Sequence, residues 1–267
     1  KIRIMRILFV FVFLSSVAFG QNDTIKENQK SKSIENLNYL TKEIEDNPKY
    51  WNLYYMRAFE RKNLGDLSGA LKDCKMVVNN STIENDVCEC YNIMGQILSS
   101  QKEYNKAILN FNRVIEIDSN NADYYYSRGY LKFQILDDFG AIEDFNKALE
   151  IEPNYDNFYL YHLRGNIKHS LKEYSSAITD FNKVIELKPN YEAAYWCKGL
   201  SKYKLKDYSG AILDFTKTIK LNPNYTSAYK IRGIAKEKLG QSFCSDYKKA
   251  CELGDQKSCE WYNKQCN

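Results

Sequence analysis

Beyond residue 32, apolar residues recur three and four apart, in blocks separated by short polar turns. That spacing predicts amphipathic helices. The first block (Ile34, Leu37, Leu40 and Ile44) predicts a lone helix over 33–46. Residues 21–32, QNDTIKENQKSK, are polar and read as a disordered linker. Ahead of them, Ile7 to Leu14 form an unbroken apolar run, well short of the ~20 residues a spanning helix needs. Arg6 precedes the run and Ala18-Phe19-Gly20 follows it, so residues 1–20 read as a secretory signal peptide rather than an anchor.

The helical blocks repeat. The segment beginning at Pro189, PNYEAAYWCKGLSKYKLKDYSGAILDFTKTIKLNP, returns to proline at Pro223, 34 residues on. A small residue recurs at Ala58, Gly95, Gly129, Gly165, Gly199 and Gly233, at spacings of 37, 34, 36, 34 and 34. Twelve residues past each of the first five come Ala70, Ala107, Ala141, Ala177 and Ala211, and four further on come Cys74, Phe111, Phe145, Phe181 and Phe215. Each copy reads as two helices joined by a turn such as Leu205–Ala211. The two small residues let the helices approach closely, and the aromatic one turn on fills the remaining space. Pro153, Pro189 and Pro223 stop one copy and start the next.

On these residues residues 47–253 resemble the tetratricopeptide repeat family, in six copies over 47–83, 84–119, 120–153, 154–189, 190–223 and 224–253. The resemblance implies an all-α fold, a right-handed superhelical solenoid of antiparallel helix pairs. Copy one departs from the pattern at Ala58 and Cys74, and copy six lacks two residues between Leu239 and Asp246.

Comparing the copies with one another shows a coordinated charge pattern. A basic residue stands one before the glycine place and a second four later, with an aspartate on the second helix. The sets are Arg57, Arg61, Asp73; Arg128, Lys132, Asp144; Arg164, Lys168, Asp180; Lys198, Lys202, Asp214; and Arg232, Lys236, Asp246. Copy two has Met94, Leu98 and Asn110 instead. All three charges vanish together, which favours an ion-pair cluster inside each copy over a row of basic ligand contacts.

Eight cysteines suit an exported chain, since disulfides persist in oxidising compartments. In the tail, Cys244 and Cys251 share one helical face, Gly254-Asp255 makes a turn, and Cys259 and Cys266 share another face. Facing residues of a helical hairpin have a constant index sum, which pairs Cys251 with Cys259 and Cys244 with Cys266 and makes 254–267 a stapled terminal helix. The tail also resembles the cysteine-containing Sel1-like repeats of exported bacterial proteins, and that resemblance implies the same Cys251–Cys259 bridge. A four-cysteine zinc site fits the spacings poorly. Cys74 is placed to pair with Cys90 or Cys88, and Cys197 is left over.

A net charge of +4, of which the leader holds Lys1, Arg3 and Arg6, gives no field for nucleic acid. No phosphate loop, nucleophile elbow or paired-histidine zinc helix appears, and neither a metal nor a cofactor is expected. His162 and His169 share a helical face without a third ligand. The chain is rich in tyrosine, at 22 residues. In the resembled family, ligand-facing places lie three before, one after and four after the glycine place. Here these include Tyr126, Tyr130 and Phe133, then His162, Asn166 and His169, then Trp196, Leu200 and Tyr203, with Tyr159 beside them. Such rings suit a peptide or protein ligand, or else pack against neighbouring helices.

The leading expectation is a non-enzymatic, monomeric, exported module that binds a peptide or protein in a concave groove. The alternatives are a Sel1-like enzyme acting on cell-wall or antibiotic-like substrates, which lacks a visible nucleophile, and a self-assembling envelope protein, which the stapled end opposes.

Overall fold

The computed structural model describes residues 22–266. These form fourteen helices and divide after Asp118 into two compact units. The first unit holds α1 (Asn22–Asp46), α2 (Trp51–Leu64), α3 (Leu67–Asn80), α4 (Glu84–Ser100) and α5 (Tyr104–Ile117). The second holds α6 (Ala122–Gln134), α7 (Asp138–Ile151), α8 (Phe158–Ser170), α9 (Tyr174–Leu187), α10 (Glu192–Lys204), α11 (Tyr208–Leu221), α12 (Thr226–Lys238), α13 (Cys244–Glu252) and α14 (Gln256–Gln265). The expected signal peptide, 1–20, lies outside the described residues.

The polar stretch expected to be a disordered linker is helical from Asn22 onward and continuous with the capping helix. No Gly or Pro interrupts 22–46, and Lys, Glu and Gln are good helix formers, so the packed part of α1 propagates outward into solvent. Packing is confined to its far end. Leu40 and Ile44 are buried, whereas Ile34, expected in the same stripe, is 44% exposed.

Within each pair the helices run antiparallel, as paired contacts show. Arg57 reaches Asp73 and Arg61 reaches the Gly69 carbonyl. Arg128 and Lys132 do the same to Asp144 and Gly140. A close glycine–phenylalanine contact sets the spacing. A Cβ added at Gly95, Gly129, Gly165 or Gly199 would lie 2.8, 2.9, 2.8 and 2.7 Å from the ring of Phe111, Phe145, Phe181 and Phe215 respectively. All four rings are buried. Ala58 pairs with the smaller Cys74, so the first copy exchanges bulk across the same contact.

The charge sets form bridges in all five copies that carry them. Arg57 grips Asp73 with two bonds of 2.8 Å, and Arg61 adds a third of 2.8 Å. Arg164 and Lys168 hold Asp180 at 2.5 and 2.9 Å. Lys198 and Lys202 hold Asp214 at 3.0 and 2.8 Å. Asp144 and Asp246 are bound in the same way. In copy two, Asn110 instead donates to the Lys106 carbonyl on its own helix at 2.8 Å.

The tail carries two disulfides, Cys244–Cys266 and Cys251–Cys259, with Cα atoms 5.7 and 4.7 Å apart. On loop entropy these contribute ~3.4 and ~2.6 kcal/mol. They clamp α13 to α14 at the end of the second unit. Cys74, Cys88, Cys90 and Cys197 take part in neither of these disulfides, and all four are buried.

Candidate peptide-binding face

The glycine–phenylalanine contact fixes the rotation of each first helix, and hence what each face shows. In copies three, four and five the residues three before the glycine place turn inward. Tyr126 packs on Phe145 and Tyr155 at 6.2 and 6.1 Å between ring centroids. His162 packs on Phe181 and Tyr191 at 6.1 and 5.3 Å. Trp196 packs on Phe215 and Tyr225 at 5.3 and 5.1 Å. The same triad therefore recurs three times. Its third member comes from the Pro-Asn-Tyr segment that opens the next copy, always 29 residues beyond the first. That constant offset was present in the sequence and could have exposed the triad.

Burial accounts for the chemistry of these groups. His162 is 2% exposed and Trp196 8%. Neither faces solvent as the expected ligand contacts would; both fill the joint between copies. The His162 ring is held neutral, its pKa lowered to about 4 by burial. Asn166 places its amide nitrogen 3.0 Å from His162 Nε2, where the neutral ring accepts a bond. Burial, with further influence from Tyr159, Tyr130 and Asp123, pushes the Tyr126 phenol up to about 12. Tyr159 is half-buried and stacks on His162 at 6.0 Å.

The residues one and four after the glycine place remain half-exposed. They are Tyr130 and Phe133 on α6, Asn166 and His169 on α8, and Leu200 and Tyr203 on α10. His169 Nδ1 lies 2.8 Å from Ser201 Oγ, which ties α8 to α10. Burial and the nearby Lys204 lower the His169 pKa. The pair is not a nucleophile and base: Ser201 is wholly buried and its hydroxyl donates to the Cys197 carbonyl at 2.9 Å. Tyr203 meets Tyr208 edge-on at 5.3 Å, and burial, with Tyr208 and Glu237 nearby, raises its pKa. Tyrosine, imidazole, amide and aliphatic groups thus share one face of three successive first helices.

The equivalent places in the first unit are Phe59 and Lys62 on α2 and Gln96 and Ser99 on α4, one ring among three polar groups. Lys62 Nζ donates to Gln96 Oε1 at 2.6 Å while lying 5.3 Å from the Phe59 ring centre. Gln96 in turn donates to Asn92 Oδ1 at 2.9 Å. Among the described residues no cluster of His, Cys, Asp and Glu is arranged to hold a metal ion, and no helix is long and apolar enough to cross a membrane.

Residues 95–135 and 165–206 match the family described as TPR repeat. The chain carries tetratricopeptide repeats. Its all-helical fold is also that of solved repeat proteins. The crystal structure of MamA protein matches with a TM-score of 0.60 at 24% identity, over 65% of this chain and 95% of that one. YrrB, titled a TPR protein with an unusual peptide-binding site, matches with a TM-score of 0.64 at 20% identity, over 72% of this chain and 97% of its own. MamA residues 41 to the end from Desulfovibrio magneticus RS-1 match at 0.55 and 20% identity, over 67% and 97%. No curated protein matches the chain.

Proposed function

We propose that this chain is a non-enzymatic scaffold of an exported or envelope compartment that holds a peptide or protein segment against the face lined by α6, α8 and α10. One observation carries the reading. After the inward triads are satisfied, those three helices still present Tyr130, Phe133, Asn166, His169 and Tyr203 to solvent together. Tyrosine offers large contact area at low entropy cost, and Asn166 and His169 add hydrogen-bonding capacity that can orient a backbone. The fold shared with YrrB, whose title names a peptide-binding site, fits this assignment. Export is supported by the apolar run after Arg6 and by the two tail disulfides, whose Cys251–Cys259 spacing resembles Sel1-like repeats.

The test is selection of ligands from a displayed peptide library on the native chain, followed by affinity measurement on variants. Tyr130→Ala, Phe133→Ala and Tyr203→Ala together should weaken a selected peptide at least a hundredfold, at about 1–2 kcal/mol per lost ring. Leu213→Ala on α11, where Leu213 is exposed on a second helix, should leave it unchanged. Equal loss from both variants, or none from either, would refute the assignment of this face.

A further inference from the structure

Two cysteines in the first unit depart from the repeat pattern at places that meet in space. Cys74 on α3 stands where four other copies have phenylalanine (Phe111, Phe145, Phe181 and Phe215). Cys90 on α4 stands five before the glycine place, where the other copies have Leu53, Tyr124, Leu160, Ala194 and Ala228. Both are 0% exposed and belong to one core cluster with Ala58, Val77, Ile93 and Met94. The two thiols neighbour each other in that cluster and influence each other's charge. Cys88, two residues before Cys90, points elsewhere, with its thiol 3.9 Å from the Val114 carbonyl on α5. The packing therefore resolves the choice that the sequence left open.

The position of the pair also has a structural logic. Copy two alone lacks the ion-pair cluster that links the helices of every other copy. The thiol pair joins the second helix of copy one to the first helix of copy two, at the entrance to that copy. We propose that Cys74 and Cys90 are a redox pair that closes a third disulfide, stapling α3 to α4, when the chain folds in an oxidising environment.

The chemistry balances with a small-molecule disulfide as oxidant. One cysteine thiolate attacks that disulfide and expels a thiol, and the second cysteine displaces the other half from the mixed disulfide. Two protons leave the cysteines, and two electrons pass to the oxidant, which is released as two thiols. The neighbouring Cys74 thiol, burial and nearby aspartates raise the Cys90 pKa well above its usual value, so the folded thiol resists deprotonation. Closure belongs to folding, before the core seals.

The experiment refolds the reduced, denatured full chain in a mixture of reduced and oxidised glutathione. Free thiols are then alkylated in denaturant and the peptides mapped by mass. Cys74 and Cys90 should be recovered as a linked pair, Cys88 and Cys197 as alkylated thiols, and the two tail bridges as the internal control for oxidation. Cys88→Ser should keep the link. Cys74→Ser and Cys90→Ser should each abolish it and lower the unfolding midpoint by several °C relative to the oxidised native chain. Recovery of Cys74 and Cys90 as alkylated thiols in protein whose tail bridges have formed would overturn the proposal. So would linkage of Cys74 to Cys88. The native-chain mapping decides the matter even if both serine variants fail to fold.

Discussion

Copies two and four solve the same packing problem with different chemistry. Both place a glycine, Gly95 or Gly165, against a buried ring, Phe111 or Phe181, at the same 2.8 Å limit. Copy four adds Arg164 and Lys168 around Asp180, a carboxylate 2% exposed. Copy two fills the same places with Met94, Leu98 and an outward-turned Asn110. The contrast separates what the two copies share from what is replaceable. The glycine–ring contact sets how closely two helices approach, and no polar group substitutes for that volume. The ion cluster is replaceable, but only as a unit, because one charge left alone in a desolvated joint costs more than the pair contributes.

The largest test of this contrast removes the shared element. Phe111→Ala and Phe181→Ala should each cost about 3–5 kcal/mol in chemical denaturation, through lost burial and a cavity. A small effect in copy four alone would mean that its ion cluster, not its ring, holds the helices together.

The second test breaks the unshared element. Asp180→Asn should cost about 3 kcal/mol, since it leaves Arg164 and Lys168 facing a neutral partner in a largely buried site. Asn110→Ala should change stability by less than ~0.5 kcal/mol. Replacing all three charges of copy four by those of copy two (Arg164→Met, Lys168→Leu and Asp180→Asn together) should recover most of the loss. A triple loss equal to the sum of the three single losses would show that the charges act independently.

The third test uses pH. His162 has a folded pKa of about 4 against 6.5 when free. As pH falls, the unfolded chain takes up the proton first. Stability from this residue is complete above ~pH 6.5 and is lost as pH falls from there towards 4, by on the order of 3 kcal/mol. Copy two has Asn92 at this place and contributes no such slope. His162→Tyr, which copies the Tyr126 arrangement of copy three, should flatten the acid limb of the stability curve between pH 4 and 6.5. An unchanged slope would show that the acid sensitivity lies elsewhere.

Much of this architecture is legible in the sequence. The register of Gly165 with Phe181, the linked loss of Met94, Leu98 and Asn110, and the index sum joining Cys244 to Cys266 depend on spacing along one or two neighbouring helices. An α-helix converts such spacing directly into position. The extent of α1 is not legible, because a polar segment that extends a packed helix has the same composition as a disordered one. The candidate face was only half legible. His162 and Asn166 stand four apart on one helix, yet the first is sealed and the second half-open.

Sequence by itself determined the repeat, the partners of each buried aspartate and the stapled tail, since these follow from local periodicity and from charges that change together. Tertiary structure alone decided which rings are filler and which face solvent. It also decided that Cys74 meets Cys90 and not Cys88. Those outcomes depend on the rotation of one helix against its neighbours, which moves a side chain from the joint to the surface. That rotation is set by close packing of residues such as Trp196, Phe215 and Tyr225, brought together from three separate places in the chain.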